Sequence, residues 1–142
     1  MESKFDKEES VMLKGRTLDH IGVACTDVEA NVKWYQDVLG FTVKGRFQPE
    51  GRPHPCYFIE DGKGIIYEMY QNDTLDPMVQ GKVDHVAFVS DDIEADYQYA
   101  LDQGYKISTN GIEEIPGRWG NGVRYFKILS PTGEQIEFSQ TL

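Results

Sequence analysis

The chain has 142 residues, of which 39% are hydrophobic and 27% charged, with seven Phe, eight Tyr and two Trp available to fill a core. That is one domain's worth of ordinary globular sequence and excludes disorder throughout. A formal net charge of −10, from 24 acidic against 14 basic side chains, with no Lys/Arg cluster, excludes nucleic acid and anionic membrane as partners and leaves a small molecule.

Residues 1–16, MESKFDKEESVMLKGR, are polar, of mixed charge and without a sustained period, and read as an N-terminal extension whose Val11–Leu13 stretch is able to dock. No apolar run has the length or flanks of a signal peptide or a bilayer span, which predicts a cytoplasmic protein. Cys25 and Cys56 lack CxxC spacing and read as small apolar strand residues.

Regular patterning begins at LDHIGVAC (Leu18–Cys25). Ile21 and Val23 share one strand face, while His20, Gly22 and Ala24 share the other. Thr26 and Glu29 form an S/T-x-x-E capping box, which predicts a helix start. The helix VEANVKWYQDVLG places Val28, Val32, Tyr35 and Leu39 on one face and ends at Gly40, a left-handed cap. Three strands are predicted next: FTVKGRF, CYFIED and GIIYEMY. The loop GRPHP separates the first two and an Asp-Gly turn the last two.

The pattern then repeats. VDHVAFVS (Val83–Ser90) leads into DDIEADYQYALDQG, which closes on Gly104. A shift of 65 positions brings Asp19, His20, Asp27, Glu29, Ala30 and Asp37 onto Asp84, His85, Asp92, Glu94, Ala95 and Asp102. The last strands match at a shift of 69, which brings Gly64 onto Gly133 and Glu68 onto Glu137. We read an internal duplication of a strand–helix–strand–strand–strand unit. Module one spans about 17–73 and module two about 82–140, within a single domain of residues 17–142. STNGIEEIPGRWGNG (Ser108–Gly122), with four glycines and a proline, is predicted to be a long loop between strands, of the kind that forms lids or binding loops.

Strand parity singles out four residues. His20 opposes Ile21 and Val23, His85 opposes Val86 and Phe88, Glu68 opposes Tyr67 and Met69, and Glu137 opposes Ile136 and Phe138. Taken singly, a strand His or Glu is usually just hydrogen-bonded or solvated. Here two of the chain's three histidines fall at equivalent positions of a repeat. Each is followed, 48 and 52 residues later, by a glutamate on the equivalent last strand. Two imidazoles and two carboxylates on the side turned from the helices are a donor set for a divalent ion. Among other residues, His54 in its proline-bracketed loop reads as exposed. Arg118 and Trp119 in the Gly-rich loop could clamp or stack on a substrate. By parity Asp19 and Asp84 point to the opposite strand face and read as structural or solvated.

LDHIGVACTDVEANVKWYQDVLGF, VDHVAFVSDDIEA and SPTGEQIEF resemble the vicinal oxygen chelate superfamily, which includes glyoxalase I, methylmalonyl-CoA epimerase, extradiol dioxygenases and the bleomycin- and fosfomycin-resistance proteins. The resemblance covers Thr17–Gln140. It implies an α+β fold of paired βαβββ modules (glyoxalase/bleomycin-resistance-like) whose curved mixed sheets enclose a metal site. In glyoxalase I-like members the ligands sit on the first and fourth strands of each module, which correspond here to His20, Glu68, His85 and Glu137. That set is closest to the lactoylglutathione lyases: extradiol dioxygenases use two His and one Glu, and methylmalonyl-CoA epimerases usually have Gln at the Glu68 position.

The resemblance further implies one nickel, zinc, cobalt or manganese ion per site and a homodimer. It also implies isomerase/lyase chemistry on a small α-hydroxycarbonyl or thiohemiacetal through an enediolate, with Glu137 and Glu68 as proton carriers. Asn72 matches an Asn that often follows the first Glu by four, whereas Ala24 stands where glutathione-dependent members carry Arg. The alternatives are an acyl-CoA epimerase of the methylmalonyl-CoA type and a ligand-sequestering resistance protein without turnover.

Overall fold

The computed structural model describes residues 18–77, 81 and 83–142; the extension at 1–16 and its Val11–Leu13 stretch lie outside them. The first repeat comprises β1 (Ile21–Cys25), α1 (Val28–Leu39), β2 (Thr42–Phe47), β3 (Cys56–Glu60) and β4 (Ile66–Gln71). The second comprises β5 (His85–Val89), α2 (Ile93–Gln103), β6 (Glu113–Ile115), β7 (Val123–Leu129) and β8 (Gln135–Thr141). Each repeat makes a four-stranded mixed sheet, ordered β1-β4-β3-β2 and β5-β8-β7-β6, in which the first and last strands run parallel and the rest antiparallel. A parallel pair needs a crossover, and the helix-containing excursion supplies it. This is the expected paired βαβββ architecture; the two sheets remain separate and unclosed.

Parity decides which side of each sheet packs. In β4, Tyr67 and Met69 are buried while Glu68 between them is only half-buried. In β7, Phe126 and Ile128 are buried and Lys127 is not. The buried sides meet Val28, Val32 and Tyr35 of α1 and Ile93 and Ala100 of α2 in one core cluster drawing on both repeats. Each fully buried large side chain contributes roughly 1.5–3 kcal/mol relative to exposure.

The helix ends follow local chemistry. Gly40 and Gly104 cap the two helices with φ of 72° and 74°, a region open to glycine at no steric cost. At the N-termini the predicted Thr26/Glu29 box is not the device used. Asp27 is the N-cap, its Oδ1 accepting from the Ala30 N–H at 3.1 Å, and Asp92 does the same for Ala95 at 3.1 Å. A carboxylate at this position both accepts the orphan donor and sits favourably in the helix dipole, so it displaces the threonine one residue earlier. A second partner comes from the sheet: Gln71 Oε1 accepts from Val28 N at 3.1 Å, and Gln140 Oε1 from Ile93 N at 2.9 Å.

The expected unbroken loop at Ser108–Gly122 is corrected by β6, which pairs Glu113–Ile115 with Tyr125–Val123. Three residues bordered by glycines give too short an alternation to be read as a strand.

The repeats are also joined by a polar cluster. Asn31, fully buried on α1, donates to Glu134 Oε1 at 2.8 Å, and Tyr35 Oη donates to the same oxygen at 3.4 Å. Ser130 Oγ and Thr132 Oγ1 donate to Glu134 Oε2 (Ser130 at 2.5 Å), and Thr132 Oγ1 also lies 3.2 Å from Asn31 Oδ1. The turn before β8 is thereby pinned to the helix of the other repeat. Gly133, with φ of 90°, lies so close to the Pro77 carbonyl that a Cβ there would clash.

Candidate metal centre

The outer faces of the two sheets carry the four residues singled out above. On the first sheet Glu68 lies beside Gly22 of β1 and Phe58 of β3. His20, just ahead of β1, sets its ring edge-on to Phe58, centroids 5.4 Å apart at 84°. Phe47 stacks on Phe58 from the far side at 6.0 Å. The Cys56 thiol is buried; burial first, and then the Glu68 carboxylate, push its pKa up to about 11. This half is apolar and aromatic around one imidazole and one carboxylate.

The second sheet repeats the arrangement with different neighbours. His85 Nε2 lies 3.8 Å from Glu137 Oε1, and the Glu137 side chain is only 14% exposed. Glu137 lies between Ala87 of β5 and Lys127 of β7. Tyr125, further along β7, donates to Glu113 Oε1 at 3.2 Å. Burial, the Glu113 carboxylate and Glu137 raise the Tyr125 phenol, while Arg118 acts in the opposite sense.

Both imidazoles are oriented by the residue before them. Asp19 Oδ2 meets His20 Nδ1 at 2.6 Å and Asp84 Oδ2 meets His85 Nδ1 at 2.8 Å. Asp19, 93% exposed, and Asp84 precede the first residue of their strands, where alternation of faces does not hold, and each adds to the structural or solvated part expected of it a contact with the histidine that follows. A carboxylate on Nδ1 fixes the tautomer and leaves Nε2 as the ligating nitrogen, the usual outer partner of a metal-bound histidine. Asp84 is tied further, accepting from Gln135 Nε2 at 3.2 Å with Lys127 Nζ 3.8 Å away. The His85 hydrogen bond, and after it the Lys127 charge, hold its carboxyl below the usual carboxylate range. The Asp-His dipeptide standing at equivalent points of both repeats was the sequence signal for this pairing.

The structure brings His20 and Glu68 to one sheet and His85 and Glu137 to the other. Among the described residues no group of three or more His, Cys, Asp or Glu side chains converges to hold an ion within one chain. A cavity of about 620 Å³ runs beside β1; Ala24, Tyr70, Asn72, His85 and Gln135 are among its walls. Asn72 therefore shares a cavity with His85, although its Oδ1 is engaged by Thr74 N at 3.0 Å and Thr74 Oγ1 at 2.8 Å. Arg118 and Trp119 sit on the β6–β7 connection, outside that cavity, with Trp119 79% exposed at φ of 55°. His54 is not simply solvated: its Nε2 meets Asp73 Oδ2 at 2.9 Å and Gln71 Nε2 at 3.1 Å, which ties its loop to the end of β4.

Comparison with known proteins comes to the same fold. The family description "Glyoxalase/Bleomycin resistance protein/Dioxygenase superfamily" matches residues 17–138. The uncharacterized protein YwbC of Bacillus subtilis (strain 168) is 35% identical over 127 residues, spanning 88% of this chain and 98% of that protein. A glyoxalase family protein from Enterococcus faecalis superposes with a TM-score of 0.68 at 18% identity, over 89% of this chain and 98% of that one. A glyoxalase I variant from Zea mays superposes with a TM-score of 0.63 at 18% identity, over 86% of this chain and 44% of that one. Among the described residues, no helix is long and apolar enough to cross a membrane.

Proposed function

This chain belongs to the glyoxalase/bleomycin resistance protein/dioxygenase superfamily, and from that premise we propose that it is a divalent-metal isomerase or lyase of the glyoxalase I type, acting on a small α-hydroxycarbonyl or thiohemiacetal. The observation that carries the reading is the duplicated half-site, an imidazole oriented by its preceding aspartate with a glutamate on the adjoining strands of the same sheet.

The donors suit nickel, zinc, cobalt or manganese, since imidazole nitrogen and carboxylate oxygen serve all four. His20 and Glu68 would hold one side of the ion, His85 and Glu137 the other. Because the two pairs sit on different sheets, we propose that the centre is completed by a second copy, each chain lending one pair in a two-fold homodimer with two equivalent sites. Among the described residues, β1 and β5 stand at the edges of their sheets with no strand paired on the far side. Val83 and Val89, flanking and ending β5, are 74% and 87% exposed, apolar surface that such an interface would cover.

When bound, the ion would supply Lewis acidity to the substrate oxygens and so acidify the neighbouring carbon. Glu137, its side chain 14% exposed and its Oε1 3.8 Å from His85 Nε2, takes the carbon-bound proton. The same carboxylate returns that proton to the adjacent carbon; Glu68 on the opposite side holds the symmetric role for a substrate bound the other way round. His20 and His85 keep fixed tautomers through Asp19 and Asp84 and carry no proton in the reaction.

Elemental analysis tests the metal: wild type is expected to hold about one ion per chain, and His85→Ala none. Mixing tests the sharing. His20→Ala and His85→Ala are each inactive alone, but refolded together in equal amounts they should recover about a quarter of wild-type sites, because half the dimers are mixed and each mixed dimer has one intact site. Full-length wild type without metal after exposure to all four ions would overturn the enzyme reading; no recovery on mixing would overturn the shared site.

A further inference from the structure

The repeats agree in the pairs His20/His85, Glu68/Glu137 and Asp19/Asp84, and differ at the residue across from each glutamate on the neighbouring antiparallel strand. A shift of 69 brings Phe58 onto Lys127. Each is the cross-strand neighbour of its half's glutamate, Phe58 beside Glu68 and Lys127 beside Glu137. Phe58 extends an aromatic wall, edge-on to His20 and stacked with Phe47. Lys127 instead brings an ammonium to the same face, its side chain only 18% exposed.

A shielded lysine needs an explanation, because taking an ammonium from water is costly unless its donors are used. Among the described residues its carboxylate partner is Asp84 Oδ2 at 3.8 Å, a long ion pair to an oxygen that already accepts from His85 and Gln135. Three donors, loosely met, thus sit beside the candidate base on the face of the half-site.

We propose that Lys127 is a substrate-specificity residue: the substrate is a small hydroxycarbonyl acid whose carboxylate is received by Lys127 on the Glu137 side of the centre, with its apolar remainder against Phe58 and Phe47. This inference rests on the metal-enzyme reading above and names its substrate class. A substrate carboxylate gives the ammonium a closer acceptor than Asp84 Oδ2, which stands 3.8 Å away. The aromatic wall has no donor for a second charge, so the site is polar at one end and apolar at the other, and such a substrate binds in one orientation. That orientation presents the same carbon to Glu137 in every turnover.

The test uses two probes of similar shape without a transferable carbon-bound proton at the reacting position: benzoylformate, an aryl α-keto acid, and 1-phenyl-1,2-propanedione, its uncharged diketone counterpart. Dissociation constants are measured by NMR titration on the full chain, with and without added nickel, for wild type, Lys127→Met, Lys127→Arg and Phe58→Ala. Wild type is expected to prefer benzoylformate by about tenfold to a hundredfold, the usual worth of a charge-assisted hydrogen bond. Lys127→Met should lose that preference, Lys127→Arg should keep most of it, and Phe58→Ala should weaken both probes alike.

Equal binding of the two probes to wild type, no binding of benzoylformate, or an undiminished preference in Lys127→Met would overturn the proposal. These outcomes are separable from failure of the metal reading, because metal content is measured on the same samples. A chain that binds nickel but shows no preference refutes only the substrate class, whereas one that binds no metal refutes the enzyme reading itself.

Discussion

At the scale of single residues, the arrangement depends on what stands behind each imidazole. Asp84 Oδ2 orients His85 through Nδ1 while being held by Gln135 and approached by Lys127, whereas Asp19 orients His20 from a side chain that is 93% exposed. Removing the Asp84 charge without changing its size should loosen the ligand more than it disturbs the fold. Asp84→Asn is expected to weaken metal binding about tenfold to a hundredfold, the usual cost of losing an outer partner. Competition against a chromophoric chelator measures this, with circular dichroism showing an unchanged fold. An unaltered affinity would mean that the aspartate does not orient a ligand. The candidate ligands themselves were legible in sequence, because period-two alternation separates Glu68 from Tyr67 and Met69 and the duplication repeats the separation. The contacts of Asp19 and Asp84 with the histidines were not legible from strand parity, because alternation describes residues inside a strand, and both lie one or two positions ahead of theirs. Lys127 and Phe58 passed unnoticed because their interest lies in a difference between repeats, which a search for agreement discards.

At the scale of elements, each helix is started by the same three parts: an aspartate N-cap, a backbone turn, and a glutamine from the last strand of its own repeat. Asp27→Ala and Asp92→Ala should each cost about 1 kcal/mol of stability, the typical loss on truncating a helix cap. Urea titration of each variant and of the pair gives the values. The two costs should add, since the caps lie on different helices and share no partner. A Thr26→Ala change, by contrast, should be near neutral. The helices, their glycine stops and most strands were readable because each rests on interactions within a few residues. The glutamines were not, for Gln71 meets Val28 across 43 residues and Gln140 meets Ile93 across 47. The brief β6 was missed for a different reason: it exists because β7 lies beside it, and its own three residues carry no signal.

At the scale of the whole molecule, the decisive contact is the half-buried carboxylate of Glu134, which receives Asn31 and Tyr35 from one repeat and Ser130 and Thr132 from its own. Truncating one member strands the others. Asn31→Ala should destabilise by about 1–3 kcal/mol, and the Asn31→Ala/Glu134→Ala pair should depart from additivity by at least about 0.5 kcal/mol. A double-mutant cycle from denaturant titrations reads this directly, and strict additivity would deny that the groups act as one network. The contact spans 103 residues, so nothing in the local pattern announced it, and whether half-sites meet in one chain or between two is likewise a matter of packing that periodicity does not encode. Its exposure gives Trp119 another property. An indole 79% exposed on the β6–β7 connection emits as one surrounded by water, while Trp34 lies against Tyr35 beside the core. The protein thus carries its own fluorescent probe at the margin of the second sheet, and a blue shift in its emission marks the moment something settles over that margin.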